Sequence, residues 1–268
     1  MISPQAFVDP SAKIGKNVEI YPFAHIEKDV EIGDNCVIMP FVSVLKGTKM
    51  GSGNRVFQNT VLGALPQDFN FTGDESELII GNDNTIRENV VINRATFKGD
   101  ATVLGNKNTL FEGVHISHDS KIADHCVFGY GVKVSGNSVI DSHAIIGSSA
   151  VVQGAHVAQW SMVRGGCRFD KDIPPYIIVS GNPTHYYDIN SIVLTKNNFP
   201  EKIQKHIATA YRLIYHGNTS VFDALMRIHD QVPMSPEIEN IINFVRESEE
   251  NNNGIPVGGI NSLKNVRK

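Results

Sequence analysis

Residues 8–44 read VDPSAKIGKNVEIYPFAHIEKDVEIGDNCVIMPFVSV, and the stretch repeats itself every six residues. Val8, Ile14, Ile20, Ile26, Ile32, Ile38 and Val44 share one slot. Working outward, the slot continues through Met50, Val56 and Leu62, resumes at Ile80, Ile86 and Ile92, and runs again from Leu104 to Val152 and Ala158. Of the 26 slots between 8 and 158, 23 are apolar in a chain that is 41% apolar; Asp68, Asp74 and Lys98 are the exceptions. Four places after the slot stands a small or moderately apolar residue for most of the run, as at Val18, Ala24, Cys36, Val42, Cys126, Val132 and Ala144. Glycine often follows the slot directly.

Six residues make one short strand and one corner, and three such sides close a triangular coil of 18. The slot residue then fills the interior, and the small residue fits beside it at the corner. Glycine and asparagine (Asn17, Asn35, Asn54) tolerate the left-handed backbone that corners need. Coils stack at about 4.8 Å. The repeat predicts a mainly β protein, a parallel β-helix of about nine or ten coils. Composition agrees: 29 Ile and 27 Val stand against 10 Leu, and branched side chains favour pleated surfaces. The period does not set the hand of the coil.

Residues 64–78 (ALPQDFNFTGDESEL) and 93–103 (NRATFKGDATV) break the pattern and read as loops leaving the prism, placed to cover a ligand or partner. The stack is expected to end around KDIPPY, 171–176, because proline cannot donate to a ladder. Helical spacing follows in Ile203, Ile207, Ala210, Tyr211 and Ile214. Thr219 or Ser220 is positioned to cap a second helix through Leu225 and Ile228. Ser235-Pro236 opens a third with Ile238, Ile241, Ile242 and Val245. The expected division is a β-helix over 1–189, a helical domain over 190–248 and a loose polar tail over 249–268.

The net charge of −4 offers no basic excess for a nucleic-acid backbone. The three cysteines, Cys36, Cys126 and Cys167, are far apart and odd in number, with neither a disulfide framework nor a zinc ribbon. The N-terminal MISPQAFVDP lacks the features of a signal peptide, and no 18-residue apolar run occurs. The expectation is a soluble cytoplasmic protein without a transmembrane segment.

Chemistry concentrates in GVHISHDS, residues 113–120. His115 and His118 both face out of the prism, and Asp119 follows His118. A histidine beside a carboxylate can be held in one tautomer and act as a general base near neutral pH. The same two histidines also supply two of the three protein ligands of a zinc site. His125 and His143 take fourth places in their hexads and face outward, while His206, His216 and His229 fall in the helical region.

The period resembles the hexapeptide-repeat transferases, which implies a left-handed β-helix and a homotrimer. Several segments together resemble one family among them, the acyl-[acyl-carrier-protein]–UDP-N-acetylglucosamine O-acyltransferases of lipid A synthesis. They are Pro66-Gln67-Asp68, IRENVVINRAT (86–96), His115-Ile-Ser-His118-Asp119, AIIG (144–147), Gly165-Gly166-Cys167, DIPPY and GNP (172–183), and AYRLIY (210–215). The resemblance covers roughly residues 1–248 and implies these roles: His118 the general base, Asp119 the residue that orients it, and Gly136 the donor of an oxyanion-stabilising N–H. Gln67 and Asp68 contact the sugar nucleotide, Asn190 and Lys196 lie near the nucleotide, His115, Asn137 and Gln153 belong to the substrate side, and Gly166 limits acyl-chain length. The sequence departs from the family at Asn137, Gln153, Asn70 and Asn93, where titratable or cationic groups are replaced by amides; these still form hydrogen bonds but carry less charge for a diphosphate.

The resemblance implies direct transfer of a 3-hydroxyacyl chain from acyl carrier protein to the 3-hydroxyl of UDP-N-acetylglucosamine, without cofactor, metal or acyl-enzyme. Cys36 and Cys126 sit at inward corners, where burial makes thiols inert. Lys202, Lys205 and Arg212 are candidates for the acidic carrier protein. A 3-amino UDP-sugar acceptor, an acetyl-CoA-dependent acetyltransferase, a metal hydratase and a non-catalytic sugar-nucleotide-binding paralogue are the alternatives.

Overall fold

A computed structural model describes residues 1–217 and 219–251. The chain winds into a left-handed parallel β-helix followed by helices. Three sheets form the walls. The first has nine strands, from Phe7–Val8 to Arg168–Phe169. The second has eight, from Lys13–Ile14 to His156–Val157. The third has ten and runs from Glu19–Ile20 to His185–Ile189. Most strands are two residues long, with the inward residue buried and its neighbour facing out. The apolar slot residues from Ile20 to Val152 form one continuous core. The outward corner position takes a left-handed backbone at Asn17 (φ 56°) and Asn35 (φ 57°).

Asn54 departs from that rule. Gly53 carries the left-handed turn (φ 70°), and Asn54 points inward and is fully buried. It begins an amide ladder along one interior corner. Asn54 Oδ1 accepts from the Asn84 N–H at 3.0 Å, Asn84 Oδ1 from the Asn108 N–H at 2.8 Å, and Asn108 Oδ1 from the Cys126 N–H at 2.7 Å. Each coil's backbone N–H thus satisfies the amide oxygen of the coil beneath, which is what makes that buried oxygen tolerable.

Leu62 pairs with Ile92, thirty residues on, and Ile92 with Ile116, twenty-four on, where neighbours on this wall before and after, up to Val134 with Val152, lie eighteen apart. The additional residues are whole hexads, so the slot phase survives both excursions. The loops proper span 65–76 and 94–100; Ala64, Glu77 and Leu78, and Ala101 to Val103, pair in strands. The phase slips first at the corner containing Gly154, and again between Phe169 and Ile173, after which Val157 pairs with Ile173 and Val163 with Val179, sixteen residues on. Ile140 pairs with Val157, so Val157 takes the inward slot expected of Ala158, which is buried beside it.

The prolines of 171–176 do not end the stack. Ile177–Ser180 adds a parallel strand to Met162–Val163, and His185–Ile189 returns antiparallel to it. Among the described residues four helices follow: α1 (Ser191–Lys196), which the spacing does not indicate, α2 (Glu201–His216), α3 (Val221–Gln231) and α4 (Pro236–Glu250). Ser220, not Thr219, caps α3 through the Asp223 N–H, and Ser235 caps α4 through the Ile238 N–H. The helices seal the open end of the prism. Tyr211 is fully buried and donates to the Pro175 carbonyl at 2.6 Å, and Ser248 donates to buried Asp172 at 3.0 Å. Glu249 and Glu250, expected in a loose tail, close α4. The rest of that expectation, from 252 onward, lies outside the described residues. Among the described residues no helix is long and apolar enough to cross a membrane.

Candidate active site

The first sheet and its corner carry the His-x-x-His-Asp segment. His115 and Ile116 form one strand, with Ile116 inward. His118 and Asp119 make the following corner, where Asp119 takes a left-handed backbone (φ 59°) and its N–H donates to Thr102 Oγ1 at 2.8 Å. Both histidines leave the prism, as their places in the hexads require. Yet His118 is only 8% exposed, because the two loops fold back around it.

Three groups fix the imidazole of His118. Nδ1 lies 2.8 Å from Asp119 Oδ2 and 3.0 Å from Thr96 Oγ1. Thr96 donates its hydroxyl to Asp119 Oδ2 at 2.7 Å and its N–H to Asp119 Oδ1 at 3.1 Å. On the other edge, Nε2 lies 3.6 Å from Asp68 Oδ2, too long for a hydrogen bond. Gly136, one coil on, forms the floor: a Cβ there would lie 2.5 Å from His118 Cε1 and 2.8 Å from Nε2. Only glycine admits the ring in this position. The Gly136 N–H finds no acceptor among the described residues, and the neighbouring Asn137 N–H donates to the His118 carbonyl at 3.2 Å.

Burial pushes the Asp119 carboxyl upward. The hydrogen bonds from His118 and from the Thr96 hydroxyl and N–H outweigh it, and the carboxyl is held below its ordinary value. Such a carboxylate fixes the Nδ1–H tautomer of His118 and leaves the Nε2 lone pair facing Asp68 and the gap above Gly136. His115 is half-buried; burial, then the charges of Lys133 and His118, hold its pKa below the usual imidazole range. Its Nε2 lies 2.7 Å from Asn93 Oδ1.

Asp68 shapes its own loop, accepting from the Asn70 N–H at 2.7 Å, while Gln67 is exposed beside it. Arg94, 9% exposed, ties this loop down: Nη1 donates to the Lys46 carbonyl at 3.2 Å and Nη2 to the Asp74 carbonyl at 3.4 Å, and the guanidinium lies 5.7 Å from the Phe71 ring. The sequence alone does not single out Thr96 and Arg94 as site residues, although both fall in the IRENVVINRAT segment. Both lie in the 94–100 loop, which carries no period, and reach partners distant in sequence.

The remaining candidates are dispersed. Gln153 stands on the same wall, exposed, and accepts from Arg168 Nε at 3.1 Å. Gly166 is exposed at a left-handed corner (φ +74°) with no atom within 4 Å of where a Cβ would be. Asn190 is buried, and its amide donates to the Trp160 carbonyl at 2.9 Å, at a different corner of the prism from His118. Lys196 is exposed at the end of α1. Within one chain neither Asn190 nor Lys196 is joined to the His118 cluster. The cysteines are buried, and burial pushes the Cys126 thiol up to about 12, which removes it as a nucleophile at neutral pH.

Residues 172–255 match the family model described as UDP N-acetylglucosamine O-acyltransferase, domain 2, and residues 11–46 match that of six bacterial transferase hexapeptide repeats. The chain is 40% identical to the acyl-[acyl-carrier-protein]–UDP-N-acetylglucosamine O-acyltransferase of Halorhodospira halophila, over 92% of this chain and 97% of that protein. It is 36% identical to the Synechocystis protein of the same name, over 75% and 72%. Among solved structures, the UDP-N-acetylglucosamine acyltransferase of Bacteroides fragilis aligns with a TM-score of 0.90 at 48% identity, covering 92% of this chain and 97% of that one. The Francisella novicida enzyme aligns with a TM-score of 0.88 at 31% identity, over 92% and 91%.

Proposed function

Because the chain belongs to the acyl-[acyl-carrier-protein]–UDP-N-acetylglucosamine O-acyltransferase family, we propose that it moves a 3-hydroxyacyl chain from acyl carrier protein to the 3-hydroxyl of UDP-N-acetylglucosamine, the first step of lipid A synthesis. The observation that carries the reading is His118, with Nδ1 held by Asp119 and Nε2 presented over Gly136.

Nε2 takes the proton of the sugar hydroxyl as its oxygen bonds to the thioester carbonyl carbon. Charge develops on the carbonyl oxygen and is met by the Gly136 N–H. The tetrahedral intermediate collapses, the carbon–sulfur bond breaks, and the proton on Nε2 passes to the departing thiolate. Asp119 stays ionised and stabilises the transient imidazolium. Gln67 and Asp68 hold the sugar nucleotide from the loop above, with His115, Asn137 and Gln153 along the same wall. Asn190 and Lys196 serve the nucleotide from a neighbouring subunit of a homotrimer, which gives the single wall its opposite face. Lys202, Lys205 and Arg212 receive the acidic carrier protein, and Gly166 leaves the end of the acyl groove open. Three unpaired cysteines suit a reducing cytoplasm.

The test is acyl transfer from 3-hydroxyacyl carrier protein to UDP-N-acetylglucosamine, run beside its 3-amino analogue and beside acetyl-CoA as donor. Turnover is expected with the carrier-protein donor and the 3-hydroxyl sugar. Exclusive use of the amino sugar or of acetyl-CoA overturns the reading, and binding without turnover identifies a non-catalytic paralogue. A stable monomer in sedimentation overturns the trimer.

A further inference from the structure

Asn93 closes the strand Val91–Asn93, is 1% exposed, and sits between His115 and the stem of the 65–76 loop. Its two amide ends have different surroundings. Nδ2 lies 2.6 Å from the Leu65 carbonyl and 3.4 Å from the Ala64 carbonyl. A flipped amide would set its oxygen against two carbonyl oxygens, so chemistry fixes the orientation. Oδ1 therefore faces His115 Nε2, 2.7 Å away. An amide oxygen only accepts, and the hydrogen between them belongs to the imidazole. His115 Nδ1 has no partner among the described residues and is not sealed from solvent.

We propose that Asn93 is a positioning residue that locks His115 as the Nε2–H tautomer, so that His115 meets the sugar nucleotide with Nδ1 as a hydrogen-bond acceptor. Such an atom recognises an O–H or N–H donor of the sugar and rejects a phosphate oxygen. The inference rests on the proposed function only for the identity of the ligand. The charged or titratable groups acting on the ring are Lys133, from the next coil, and His118. Both, with burial, favour the neutral ring that the tautomer requires. The same amide also ties the loop bearing Gln67 and Asp68 to this ring, because its donor end holds the Leu65 carbonyl.

The experiment uses the full chain labelled with 15N-histidine, with His115→Gln assigning the resonance. At pH 7, long-range proton–nitrogen correlations are expected to show a protonated Nε2 and a bare Nδ1 at His115. A protonated Nδ1 overturns the proposal. Asn93→Leu removes the acceptor, so the resonance is expected to move towards a mixture of tautomers. KM for UDP-N-acetylglucosamine is expected to rise about tenfold, the equivalent of one hydrogen bond, with a smaller change in kcat. A KM within about twofold of wild type, with the wild-type tautomer as stated, overturns the acceptor role. Failure of the functional reading would instead appear as absent acyl transfer by the wild-type protein, leaving the tautomer result intact.

Discussion

Replacing Gly136 by alanine tests the site with one methyl group. The φ of Gly136 lies outside the left-handed region, so alanine strains no backbone there, and it keeps the N–H assigned to the oxyanion. The added Cβ would lie 2.5 Å from Cε1, 2.8 Å from Nε2 and 3.0 Å from Nδ1 of His118. Carbon contacts relax at about 3.5–4.0 Å, so ring and backbone must part by roughly 1 Å. The ring cannot retreat freely, because Nδ1 is held at 2.8 Å by Asp119 and 3.0 Å by Thr96. Overpacking of this kind costs about 1–3 kcal/mol of stability. A displacement of about 1 Å at a reacting group costs on the order of 10²-fold in rate. The assay is steady-state acyl transfer beside thermal melting, with Gly131→Ala as the control, since its added methyl meets nothing nearer than Ser149 Oγ at 3.7 Å. Expected are a kcat lowered about 10²-fold and a modestly lowered Tm for Gly136→Ala, and near-normal kcat for the control. In a His118→Ala background the Gly136 change should add little, since the two residues are in contact. A folded Gly136→Ala enzyme with kcat within about threefold of wild type would refute the reasoning.

Other consequences are equally measurable. His118→Ala should lower turnover about 10²–10⁴-fold while calorimetry still detects sugar-nucleotide binding; near-normal turnover removes His118 as the base. Asp119 has a native pKa below its ordinary 3.8, so its contribution to stability is complete above that value and fades as pH falls through the lowered one. The stability gap between wild type and Asp119→Asn, measured with urea, should therefore be smaller at pH 3 than at pH 7; a constant or growing gap contradicts the assignment. Gly166→Met should fold, because seventeen non-glycine residues already hold positive φ and its Cβ meets open space. It should shift donor preference towards chains several carbons shorter, each buried methylene being worth ~0.8 kcal/mol. An unchanged chain-length profile in a folded variant removes Gly166 from that role.

The prism was legible because its determinants are local and repeated. Each slot residue meets equivalents one coil away, at a spacing the chain prints in its own period, and insertions of whole hexads leave the phase of Ile92 and Leu104 untouched. His118 and Asp119 could be singled out because a base and its carboxylate are adjacent in sequence. Asn54 reads in sequence as a corner residue, yet it is a buried ladder residue, because asparagine suits both a left-handed corner and a buried ladder. Only the neighbouring coils, with carbonyl and N–H groups in reach, decide between the two. The slip that gives the inward slot to Val157 rather than Ala158 likewise needs the register of the coil beneath.

The sequence by itself determined the repeating wall, the corner that carries the histidine–aspartate pair, and the helices that follow. Tertiary structure alone decided what surrounds that pair. Thr96 reaches Asp119 from 23 residues away, Asp68 approaches His118 from the other loop, and Gly136 supplies the floor from the next coil. Loop residues carry no period, and the contact of a loop with a wall depends on where the wall stands once it has been coiled. Local periodicity therefore fixes the scaffold, and the burial and tautomer of His118 arise from contacts that the coiled scaffold brings together.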